Sequence, residues 1–73
     1  MKPDEFQKRI GERVRELRLA RGISQEAFAA QCFLHRTHMS MIERGQLNIG
    51  VGTLKAIIDA LGINASAFFA GIE

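Results

Sequence analysis

Seventy-three residues with a net charge of +2 and a single cysteine predict one domain, residues 1–73, with no intrachain disulfide. A chain this short buries only about 60% of its extended surface, so it must be compact and helical or gain stability as an oligomer. One unpaired thiol favours a reducing cytoplasm. No apolar run approaches the roughly 18 residues of a membrane span, and "MKPDEFQKRI" has no long apolar core of the kind a signal peptide needs. Charge is uneven: residues 1–44 carry nine bases and six acids, and residues 45–73 carry one base and two acids. That asymmetry permits a polyanionic partner.

In chain order the pattern is helical throughout, with no strand alternation, repeat or low-complexity tract. Phe6, Ile10, Val14 and Leu17 fall on one stripe of a first helix; Pro3 and Asp4 suit its first turn and Gly22 its end. Ser24 is a good N-cap for "QEAFAAQC", with Glu26 favouring the positive helix end, and Ala27, Phe28 and Ala29 are expected to face inward. A break follows near Phe33 and Leu34. A third helix should run from about His35 to Arg44, with Gly45 at C′. "GQLNIGVG" reads as a loop. Leu54, Ile57, Ile58 and Leu61 mark a fourth amphipathic helix stopped by Gly62, and Asn64 can cap a short fifth helix bearing Phe68 and Phe69. Five short helices joined by tight turns predict a compact all-α fold.

The outer face of "FLHRTHMSMIERG" is unusual, because it lacks the Glu–Lys pairs that solvate an ordinary surface helix. The second and third helices, joined by a short turn, have the organisation of a DNA-binding helix-turn-helix unit, residues 24–44. Ala29 supplies the small residue such a crossing needs, and Met39 and Ile42 face the core. Arg36, Thr37, Ser40, Met41 and Arg44 are left outward, and the last four share one face through their i, i+3, i+4, i+7 spacing. Arg36 suits a guanine and Thr37 a thymine methyl or a phosphate; Met41 suits apolar contact. His35, His38 and Cys32 raise a metal reading, but zinc would want a third, supported ligand and Cys32 suits a small hydrophobic role. Either histidine can instead donate to a phosphate. No Gly-rich phosphate loop or HExxH motif is present, and Ser40 and His38 diverge on a helix, so neither an enzyme nor a cofactor is expected.

"RELRLARGISQEAFA" followed by "LHRTHMSMIERG" resembles the lambda-repressor-like family, also called the Cro or XRE type, over roughly Ile10 to Phe69. "HRTHMSMIERG" is also similar to the recognition segment of restriction–modification controller proteins, a small dimeric branch. The resemblance implies a homodimeric, cytoplasmic regulator of transcription on double-stranded DNA, with no membrane partner. It implies base contacts from Arg36, Thr37, Ser40 and Met41, and phosphate contacts from Gln25, Arg44, Gln46 and Asn48, beside those read above for His35 and His38. It implies a bridge between Arg18 and Glu43. A C-terminal core and dimer segment, residues 51–72, would offer Ile58, Leu61, Phe68, Phe69 and Ile72 to a second copy. Two alternatives stand beside it: an antitoxin that binds its own promoter and a toxin, and a protein-interaction module lacking DNA binding. The chain departs from the family pattern twice. Phe33 occupies a turn position that is usually glycine, and "NIGVG" replaces the usual Asn-Pro-Ser start of the fourth helix.

Overall fold

The computed structural model describes residues 1–72, which form five helices: α1 Pro3–Ala20, α2 Gln25–Gln31, α3 Arg36–Glu43, α4 Val51–Leu61 and α5 Ala65–Phe69. Their starts follow from local chemistry. Pro3 opens α1, where its missing N–H costs nothing. The Ser24 hydroxyl accepts from the Ala27 N–H at 3.1 Å, and the Asn64 amide oxygen accepts from the Ala67 N–H at 2.7 Å. Gly50 starts α4 with no side-chain cap, which costs a few tenths of a kcal/mol against serine. α3 begins one residue later than expected. His35 stands outside it as the N-cap, its Nδ1 accepting from the Thr37 N–H at 3.1 Å.

The first three helices stop in the same way. In each, a residue with left-handed backbone donates to the carbonyl three residues back, and the next residue donates to the carbonyl five back. Gly22 and Ile23 do this for α1, Phe33 and Leu34 for α2, and Gly45 and Gln46 for α3. This is the Schellman arrangement. Glycine fills the left-handed position after α1, α3 and α4, whereas Phe33 takes it after α2 with φ 59°. The turn therefore keeps its usual geometry, and Phe33 carries a strain of about 1–2 kcal/mol. Its ring has no packing partner among the described residues and is 92% exposed.

The core forms where the faces of all five helices meet: Ile10 and Val14 from α1, Phe28 and Ala29 from α2, Met39 and Ile42 from α3, Ile57, Ile58 and Leu61 from α4, Phe68 from α5, and Cys32 from the turn. Burial pushes the Cys32 thiol up to about 11, so it packs as a neutral small hydrophobe. Two expected core positions differ. Ala27 is exposed, because α2 is short and buries only the Phe28–Ala29 edge. Phe6 is also exposed and instead stacks on Phe69, ring centroids 6.5 Å apart. α1 meets the end of α3 at Gly11, where a Cβ would lie 2.9 Å from the Glu43 carbonyl oxygen and closer still to that of Ile42. Only glycine admits so close a backbone approach.

Candidate nucleic-acid interface

α3 is held at both ends and by one flank, which leaves its remaining face free. At the far end, Glu43 turns inward and is buried with Arg18 of α1. Arg18 donates through Nε to one carboxylate oxygen at 2.7 Å and through Nη2 to the other at 3.0 Å. A third donor, Nη1, reaches the Ile23 carbonyl at 2.8 Å. Hydrogen bonding to Glu43 holds the guanidinium above its ordinary range, against the opposing effect of burial. Gln25, at the first position of α2, adds a hydrogen bond from Nε2 to Glu43 at 3.2 Å. One carboxylate thus ties α1, α2 and α3 together, and every buried side-chain polar atom among the described residues is partnered.

This network has an electrostatic consequence. Glu43 is the only acid in α3, and its charge is neutralised inside the fold. What α3 shows to solvent carries no acid. Arg36 and Thr37 are exposed, and His38, Ser40 and Met41 are half-buried. Arg36 makes no ion pair among the described residues, so its planar fork is free for a ligand. Arg44, just beyond α3, is exposed and folds back to the Ser40 carbonyl at 3.3 Å. Gln46 and Asn48 are exposed in the following loop. The predicted base-facing residues thus share one side of a short helix, and the predicted phosphate-facing residues flank it. The capping bond of His35 occupies Nδ1 and leaves the Nε2 edge outward. Likewise, Gln25 has a second amide N–H beyond the one that braces Glu43.

The residues expected at a dimer surface separate into two groups. Leu61 and Phe68 are closed inside the chain's own core, at 2% and 0% exposure. They have no surface to offer a second copy, which corrects their place in that set. Phe69 and Ile72 remain half-buried, and Ile58 lines the floor of an apolar groove of about 340 Å³ with Val51, Leu54, Ile63 and Phe69. Leu54 also lines a second groove of about 440 Å³ with Phe6, Ile10 and Ile49. Val51 is 88% exposed. Val51 opens a helix, a position with no periodicity signal of its own, so its exposure is not legible in the sequence pattern.

A family profile described as helix-turn-helix matches residues 14–68. The chain belongs to this helix-turn-helix family of DNA-binding regulators of transcription. Among its relatives, the control protein C.BamHI of Bacillus amyloliquefaciens is 44% identical over 74% of this chain and 68% of its own. The control protein C.MunI of a Mycoplasma species is 42% identical over 89% of each chain. The restriction–modification controller protein C.Esp1396I, solved as a tetramer with its natural 35 base-pair operator, superposes with a TM-score of 0.83 at 29% identity, covering 89% of this chain and 86% of its own. No helix among the described residues is long and apolar enough to cross a membrane.

Proposed function

We propose that this protein is a sequence-specific transcription regulator that binds a near-palindromic operator as a homodimer and controls restriction–modification genes. The observation that carries the reading is the Arg18–Glu43–Gln25 network, which removes the only acid of α3 from its surface and fixes the helix rigidly for insertion into a major groove. Arg36, Thr37, Ser40 and Met41 face the bases, with Arg36 placed for a guanine edge. Gln25, His35, His38, Arg44, Gln46 and Asn48 hold the flanking phosphates, which set register rather than sequence. The names of C.BamHI, C.MunI and C.Esp1396I support control of restriction–modification genes over an antitoxin or a pure interaction module. The reading assigns the protein to the cytoplasm, in keeping with a regulator of this family, and assigns it no catalytic step.

Selection of bound sequences from a random duplex library tests this directly. Wild type should enrich a two-fold symmetric site. Arg36→Ala should weaken binding to it by about 1–3 kcal/mol and relax preference at one base step in each half. A library that emerges unenriched would remove the function; an unchanged preference in the variant would move Arg36 to the phosphates.

A further inference from the structure

Phe33 occupies the left-handed position at the end of α2, with φ 59°, where the chain places glycine after α1, α3 and α4. Its N–H bonds the Ala30 carbonyl at 3.1 Å and the Leu34 N–H bonds the Ala29 carbonyl at 2.9 Å, bonds that a glycine would make without strain. The ring adds no packing, since it is 92% exposed, the most exposed of the large apolar side chains among the described residues. A strained backbone carrying a side chain with no partner among the described residues indicates a role outside the fold. Position says which. Phe33 lies in the turn that feeds the N-terminus of α3, three residues before Arg36. Successive Cα atoms are 3.8 Å apart, so the two Cα atoms are at most about 11 Å apart. The exposed residues that follow Phe33 into α3, His35, Arg36 and Thr37, include no acid.

We infer that the Phe33 ring is a base-reading side chain, seated on a thymine C5-methyl in the major groove within about three base steps of the pair read by Arg36. The inference rests on the proposed placement of α3 in that groove. The thymine methyl is the apolar feature that a base edge presents there, and phenylalanine is among the side chains that match it. Phe33 thus adds a specificity position at the flank of each half-site, supplied by the turn rather than by the helix.

The test takes the duplex selected by wild type and replaces each thymine in turn by deoxyuridine, which removes only the methyl group. Affinities of wild type, Phe33→Gly and Arg36→Ala are measured on every duplex, with the melting temperature of each protein. Phe33→Gly should melt no lower than wild type, because the turn prefers glycine, yet bind the parent duplex about tenfold more weakly. At one thymine per half-site, loss of the methyl should weaken wild type by a similar factor and leave Phe33→Gly unaffected. Phe33→Gly binding as tightly as wild type, or losing affinity with no such thymine, would overturn the inference while Arg36→Ala still reports the helix in its groove. Failure of wild type to select any sequence would overturn this inference and the proposed function together.

Discussion

Glu43 is an acid at the end of the helix proposed to meet a polyanion, and its burial removes the conflict that proposal would otherwise carry. The carboxylate receives three hydrogen bonds, two from Arg18 and one from Gln25. Two ions out of water are costly, and their pairing offsets that cost only when geometry is good and the remaining donors are satisfied. Both conditions hold here, since the third donor of Arg18 reaches the Ile23 carbonyl. The pair therefore acts mainly as a positional lock. Removing one partner is different from removing both. Glu43→Ala should destabilise the fold by about 3 kcal/mol, because Arg18 stays buried and uncompensated. Arg18→Met combined with Glu43→Leu should recover more than half of that loss. Urea unfolding followed by circular dichroism measures both, and a Glu43→Ala variant within about 0.5 kcal/mol of wild type would show that the lock is dispensable.

At the scale of the helices, contacts within a few residues were legible from sequence and contacts across the chain were not. Ser24 and Asn64 cap where their side-chain chemistry predicts, and Gly22, Gly45 and Gly62 take the left-handed stops their positions imply. The outward set of α3 follows from period alone, and the Arg18–Glu43 bridge follows only from family resemblance, since 25 residues separate the partners. Gly11 shows the limit. It sits in the interior of α1, where glycine is about 1 kcal/mol worse than alanine, and nothing local explains it. The explanation is the Ile42 and Glu43 carbonyls of α3, 31 and 32 residues away, which fill the space a Cβ would need. The exposure of Ala27 is illegible in sequence for a different reason: a seven-residue helix gives too few positions for period to choose between adjacent residues. Gly11→Ala should therefore lower stability by about 1–3 kcal/mol through overpacking, despite its better helix propensity. Gly52→Ala, at an α4 position with open space around it, should cost nothing. Equal thermal shifts in the two variants would mean that α1 and α3 can separate without penalty.

The molecule as a whole is small against its target. Its extents are 31 × 23 × 21 Å, so one copy covers less than one turn of DNA, about 34 Å, and presents one reading helix. One such helix distinguishes too few base pairs for selective binding in a genome. Two copies related by a two-fold axis double the contacts through one self-complementary patch. We propose as that patch the apolar strip from Phe6 and Ile49 through Val51 and Leu54 to Ile63 and Phe69, with the Ile58 floor and Ile72 at its margin. It lies in α1, α4, α5 and their loops, leaving the face of α3 free for DNA. Phe69 is a compromised probe, because it also stacks on Phe6 and meets Phe68 edge-on at 5.1 Å; Phe69→Ala should weaken dimer and fold together. Val51 separates the two. It is 88% exposed at the first position of α4, where an added carboxylate suits the positive helix end. Val51→Glu should keep the melting temperature of the monomer while placing two like charges across the two-fold axis. Sedimentation at tens of micromolar should then find wild type as a dimer and Val51→Glu as a monomer. Operator binding should change from one dimer on half-sites about 10 base pairs apart to weak binding that steepens with protein concentration. A wild-type monomer under those conditions, with one copy per operator, would refute the dimer; an unchanged Val51→Glu dimer would move it to another face.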